Sequence, residues 1–118
     1  TTPRNFFQNQ PFRGVMQKTP AWTETDFSQT AAEATSARMM GLYALLANDR
    51  KVYRYGEGVI QTRMKEHLKS SEHTLTTKRF TYFKLEDKGD AELIEHLLLL
   101  QYKQQNNGQL PPGNRITA

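Results

Sequence analysis

The stretch Met39-Met40-Gly41-Leu42-Tyr43-Ala44-Leu45-Leu46-Ala47-Asn48-Asp49-Arg50-Lys51-Val52-Tyr53-Arg54-Tyr55-Gly56-Glu57-Gly58 decides the fold. Met39 to Leu46 reads as a strand, with Leu42, Ala44 and Leu46 on one face and Gly41, Tyr43 and Leu45 on the other. Both faces are largely apolar, which places this strand centrally, with cover on both sides. Asn48-Asp49-Arg50 makes a turn, and Lys51 to Tyr55 returns as the second strand of a hairpin. Gly56 and Gly58 are expected to end that strand.

On the C-terminal side, Val59 to Lys69 has the pattern of a helix, with Ile60, Met64 and Leu68 spaced by four as its inner stripe. Residues 70–77 are polar and loop-like. Lys78 to Leu85 reads as a third strand, with Phe80 and Tyr82 facing opposite to Thr81, Phe83 and Leu85. Asp90 is expected to cap an apolar helix from Ala91 to about Gln104, which Gln105-Asn106-Asn107-Gly108 ends. Pro111-Pro112-Gly113-Asn114 makes a rigid turn. On the N-terminal side, Asp26 or Ser28 can cap a short helix through about Arg38, helped by Ala31, Ala32 and Ala34. Residues 1–25 lack periodicity. They read as an irregular arm whose Phe6, Phe7, Phe12, Val15 and Trp22 pack on the domain or on a partner, with a plain linker as the other reading. The order helix, strand, strand, helix, strand, helix predicts an α+β fold: a small three-stranded antiparallel sheet flanked by helices. The arm and short helix occupy residues 1–38 and the main domain residues 39–118.

The chain of 118 residues fits one domain with a modest core. It has no cysteine, so disulfides and thiolate metal sites are excluded. No run approaches the roughly 18 apolar residues that span a membrane. The formal net charge of +4 and pI near 9.5 favour a polyanionic partner. The chain opens at Thr1 without a signal-peptide pattern, as a processed product or a domain cut from a longer chain would.

Against this frame Glu95 stands out. In Ala91-Glu92-Leu93-Ile94-Glu95-His96-Leu97-Leu98-Leu99-Leu100 it falls between Ala91 and the pair Leu98 and Leu99, on the stripe a helix buries. A carboxylate there costs several kcal/mol or shifts its pKa unless it finds a partner. A metal ion would serve, and so would a lysine or arginine from the sheet. Other polar residues can be placed by the same reading. Tyr43 lies on the first strand, Tyr53 on the second, and Arg63 and His67 lie at i and i+4 on the middle helix.

This ordered set resembles the GIY-YIG nuclease family. Gly41-Leu42-Tyr43 is similar to the first motif, and Val52-Tyr53-Arg54-Tyr55-Gly56 to the second. Arg63-x-x-x-His67 resembles the family's helix signature, Ala91-x-x-x-Glu95 its metal-binding helix, and Pro112-Gly113-Asn114 its terminal asparagine. The resemblance runs from about Gly41 to Asn114. One departure stands out: an ungapped alignment from Val52 to Arg63 puts Tyr55 where the second motif has its glycine, and Gly56 comes one residue later. Either the strand carries a bulge, which keeps the active site, or the motif is degenerate, which would leave a binding domain.

The resemblance implies a Mg²⁺-dependent (or Mn²⁺-dependent) endonuclease that hydrolyses phosphodiester bonds, with DNA as substrate. Mg²⁺ needs only one or two carboxylates beside its waters, so Glu95 alone would hold it. Tyr43 would be the general base or orient the water, its phenol made more acidic by Arg63. Tyr53 would position water or bind the scissile phosphate. Arg63 would hold the phosphate through its planar fork. His67 would assist the base or the phosphate, and Asn114 would lock Glu95 or the phosphate by a hydrogen bond. Lys51, Arg54, Lys65 and Lys69 would contact phosphates around the site without reading sequence. His73 and His96 are bystanders in this reading. The alternative is a catalytically inactive GIY-YIG-like module that binds nucleic acid or a protein. A toxin or effector domain, acting on intracellular DNA after delivery and held in check by an immunity protein, would use the same chemistry.

Overall fold

The computed structural model describes residues 22–115. The expected aromatic contacts of Phe6, Phe7 and Phe12 lie outside them. The elements in chain order are β1 (Thr23–Asp26), α1 (Gln29–Ala34), β2 (Met40–Ala47), β3 (Val52–Val59), α2 (Ile60–Leu68), α3 (Ser71–Thr76), β4 (Thr77–Lys84), α4 (Lys88–Gln105) and a 3-10 turn at Pro112–Arg115. The fold is α+β with an antiparallel sheet, but the sheet has four strands, not three, in the order β1-β4-β2-β3. The added strand is β1, from the stretch expected to be irregular. It is four residues long, too short to show alternation. It is held to β4 by Arg79, which donates to Glu24 and Asp26, while Arg50 donates to Glu24 from the hairpin turn.

As expected, β2 is central and apolar on both faces. Leu42, Ala44 and Leu46 pack with Trp22, Tyr55, Phe83, Ile94 and Leu98 beneath α4. Tyr43 and Leu45 pack on the opposite face with Ala32, Tyr53, Ile60, Met64 and Phe80, beneath α1 and α2. Trp22 meets the Phe83 ring edge-on at 4.6 Å. Trp22 and Ala32 both precede the expected boundary at residue 38, and they pack in these same two clusters.

Three local readings are corrected. Gly56 and Gly58 do not end β3, which runs through to Val59 because both residues stay paired with β2, Gly56 opposite Tyr43 and Gly58 opposite Gly41. Residues 70–77 are not a loop. The Ser70 hydroxyl accepts from the His73 amide and caps α3, a local signal that hydropathy does not register. The last helix starts at Lys88, because Asp87 rather than Asp90 is its cap and accepts from the Asp90 amide. Ser28 caps α1, as one of the two expected alternatives, and that helix ends at Ala34.

The hairpin carries a bulge. Leu45 pairs with Arg54 and Leu46 with Val52, so Tyr53 is an extra residue on β3. Two consecutive side chains, Tyr53 and Arg54, thereby fall on the face of Tyr43 and Leu45, and so does Gly56. Beyond the bulge Tyr55 and Glu57 face α4. Strand β3 is an edge of the sheet, and Asn114 covers part of that edge. Its amide oxygen accepts from the Tyr55 N–H and its amide nitrogen donates to the Tyr55 carbonyl, both at 2.9 Å.

Candidate active site

The hollow at this edge of the sheet has a volume of about 660 Å³. Its wall is drawn from five elements and the α2–α3 junction. Tyr43 comes from β2, Arg54, Gly56 and Glu57 from β3, and Arg63, Glu66 and His67 from α2. Ser70, Glu72 and His73 follow, and Glu95 comes from α4. Gly56 is what lets the two sides of the sheet meet here. A Cβ on Gly56 would stand 2.2 Å from both Cζ and Oη of Tyr43, so the phenol crosses the strand directly over the glycine. Gly58 does the same for Arg63: its φ is +132°, and a Cβ there would stand 2.7 Å from the Arg63 Nε. Arg63 donates from Nε to the Glu57 carbonyl and from Nη1 to Glu66, and its side chain stays substantially exposed.

Tyr43 is 2% exposed, and its hydroxyl lies 2.6 Å from the His67 Nε2. Burial pushes the phenol up to about 12, against the opposing charges of Arg54 and then Arg63. The expectation that Arg63 would make Tyr43 acidic is therefore corrected: desolvation outweighs the cations, and Arg54 is the stronger of them. Burial first, and then Arg54, His73 and Arg63, push His67 down to about 3. Both groups are neutral near pH 7. In the Nδ1–H tautomer of His67, Nε2 accepts the phenolic proton, and Oη keeps its own lone pairs as acceptors.

Tyr53 is buried behind the wall rather than in it. Its hydroxyl meets the His73 Nδ1 at 3.2 Å and donates to the Glu72 carbonyl at 3.4 Å. His73 itself lines the hollow, with its ring 4.9 Å from that of His67, although the sequence reading set it aside. The missed signal was the Ser70 cap, which fixes the helical phase that turns His73 inward. His96 is exposed on α4. Asn114 spends both ends of its amide on the Tyr55 backbone instead of Glu95. Gly113 beside it packs on Tyr53, where a Cβ would stand 2.6 Å from the ring.

Of the four cations expected at the rim, Arg54 lines the hollow, whereas Lys51, Lys65 and Lys69 are not among its lining residues. The hollow instead gains three carboxylates beside the expected Glu95, namely Glu57, Glu66 and Glu72, which were not foreseen. Glu95 sits at the border of the buried stripe, which is formed by Ala91, Ile94 and Leu98. Burial pushes its carboxyl up to about 7, reinforced by the charge of Glu57 and opposed by Arg54. Among the described residues it takes part in none of the ion pairs. The neighbouring Glu57 Oε2 is buried without a hydrogen-bond partner. No protein-family model matches the chain, and no curated protein matches it either.

Proposed function

We propose that the chain is a divalent-metal-dependent endonuclease of the GIY-YIG type that hydrolyses phosphodiester bonds, with DNA as its substrate. One observation carries the reading: Tyr43, Arg63, His67 and Glu95, which lie far apart in the sequence, line one hollow. The bulge at Tyr53 supports it further. It puts Tyr53 and Gly56 on the face of Tyr43 and so compensates for the extra residue in the second motif. That misplaced glycine was the main support for an inactive binding module.

The carboxylate end of the hollow fits a hard cation. Glu95 has no ion-pair partner among the described residues, and the buried Glu57 Oε2 beside it has no hydrogen bond. Among those residues no group of three or more His, Asp or Glu is disposed around one point. Mg²⁺ or Mn²⁺ suits such a place because it keeps most of its waters and takes one or two carboxylates. When bound, the ion would polarise the phosphate and acidify a water. Glu95 would hold it, with Glu57 alongside. Tyr43 would orient the attacking water through the lone pairs of Oη, its own proton being directed to His67. Arg63, exposed at the mouth, would grip a non-bridging phosphate oxygen. His73 would fix Tyr53 and shape the floor. As a toxin or effector domain the chain would work by the same steps.

A nicking assay on supercoiled plasmid tests this. Wild-type chain should nick with Mg²⁺ and stop with EDTA, and Glu95→Gln should be inactive. A gel shift that persists under all three conditions without any nicking would establish the inactive binding module instead.

A further inference from the structure

The bulge in β3 has a second effect: it turns Arg54 inward. In an unbroken ladder Tyr53 and Arg54 would face opposite sides of the sheet. Here both share the face of Tyr43. Arg54 is half-buried, and its Nη1 donates to the Gly113 carbonyl at 2.5 Å. That bond ties the guanidinium to the turn whose next residue, Asn114, is pinned to Tyr55. Arg54 lines the hollow, and its Nε is buried with no hydrogen-bond partner. Among the described residues no ion pair neutralises it. Its charge acts on Tyr43, His67, Tyr53, His73 and Glu95, which makes it the shared cation of the site. Arg63, by contrast, is already bonded to Glu66 and to the Glu57 carbonyl.

A guanidinium held this way is costly unless an anion visits it. A solvated positioning arginine would extend into water and leave no orphan N–H. The hollow also has the polarity of a phosphoryl site, with the carboxylates Glu57 and Glu95 to receive a cation and two guanidinia to receive oxygens.

We infer that Arg54 is a catalytic residue that binds the scissile phosphate within the hollow, together with Arg63, rather than a peripheral contact to the nucleic-acid backbone. This rests on the nuclease reading of the same hollow. The anion is the phosphate group itself, so inorganic phosphate serves as a probe that needs no turnover.

The test compares the wild-type chain with Arg54→Gln and Arg54→Lys. It measures kcat and KM for plasmid nicking with Mg²⁺, inorganic phosphate binding in EDTA by ³¹P NMR, and thermal melting as a check on folding. Arg54→Gln should lower kcat by about 100-fold or more, the usual cost of losing one transition-state donor. KM should move by less than about 10-fold, since transition-state contacts show in kcat. Arg54→Lys should melt near wild type, yet recover little of kcat and bind phosphate more weakly, because an ammonium lacks the fork that reaches Gly113 and a phosphate together. If Arg54→Gln fails to fold, Arg54→Lys and the phosphate titration decide. Wild-type kcat in the Lys variant, a loss confined to KM, or phosphate binding equal to wild type would each overturn the inference. Plasmid nicking with a dispensable Arg54 removes this inference and keeps the nuclease. Phosphate binding that depends on Arg54, with the plasmid left intact under Mg²⁺, keeps the anion site and removes the nuclease.

Discussion

Gly56→Ala tests the geometry at the centre of the site. The φ of Gly56 is not positive, so alanine meets no backbone strain there. Its methyl group would, however, lie 2.2 Å from Cζ and Oη of a tyrosine that is 2% exposed. The atoms it meets are the outer end of the ring, and that end is fixed by the 2.6 Å contact with His67. Tyr43 must swing away, which breaks that bond and strands a buried imidazole nitrogen. Overpacking costs about 1–3 kcal/mol, and an unsatisfied buried partner a further ~1–3 kcal/mol. A loss of about 2–5 kcal/mol follows, a large part of the stability of a small domain. Urea unfolding measures it, and a double-mutant cycle assigns it. In a Tyr43→Ala background there is nothing for the methyl to strike, so Gly56→Ala should cost less than ~1 kcal/mol. Equal costs in the two backgrounds would refute the reasoning, because the glycine would then be required for some cause other than the passage of the phenol.

Other substitutions probe the surrounding contacts. Tyr43→Phe should cost about 1–3 kcal/mol by orphaning the His67 nitrogen and should abolish nicking; wild-type stability would mean that water replaces the hydroxyl. Asn114→Ala removes two bonds to Tyr55 at about 0.5–1.5 kcal/mol each, and hydrogen exchange at the Tyr55 amide should accelerate. His67 is held at about 3 against 6.5 in the unfolded chain, so the unfolded state takes up the proton first, and stability is complete above about pH 6.5 and declines as pH falls toward 3. Between pH 7 and 5.5 the His67 share is a loss of about 1 kcal/mol, read from urea midpoints as the difference between wild type and His67→Gln because Glu95 adds stability over the same range, and equal slopes in the two would show that the protonated ring finds a partner.

The sheet was legible where burial is strong and two-sided. The apolar run Leu42–Leu46 identified the central strand, and the spacing of Ile60 and Met64 identified the helix that covers one face. Strand β1 was not legible, since its residues Thr23–Asp26 owe their pairing to Arg79 and Arg50, which are remote in sequence. The site divided along similar lines. Side chains whose phase is fixed by a long regular element, such as Arg63, His67 and Glu95, line the hollow. Tyr53 and Arg54 lie at a bulge, which breaks the alternation on which strand reading depends. The sequence could pose a bulge as one of two options, and only the pairing of Leu45 and Leu46 shows that the strand carries one. Electrostatic balance was the least legible property. Arg63 was credited with acidifying Tyr43, whereas burial dominates and Arg54 is the larger of the two cationic influences.

Glu95→Gln brings stability and function into opposition. The Glu95 carboxyl is raised from 4.5 to about 7 by burial and by Glu57. A raised carboxylate favours the fold fully below the unfolded value, and that benefit is lost as pH rises through the folded value. Between about pH 4.5 and 7 the chain therefore gives up stability to ionise Glu95, and above pH 7 the loss is complete. It is at most ~3 kcal/mol, and less in practice because the side chain is partly in water. Glutamine keeps the shape without the charge. At pH 8 without metal, Glu95→Gln should be more stable than wild type by about 1–3 kcal/mol. At pH 4.5 the two should converge. Adding Mg²⁺ should raise the melting temperature of wild type and leave the variant unmoved, because a ligand stabilises only the state that binds it. If the variant gains nothing at pH 8, Glu95 already has a compensating partner, and the case for a cation at this end of the hollow fails with it. If it gains stability and loses nicking together, the carboxylate is retained at a cost to the fold, and only a role in binding or chemistry explains its keeping.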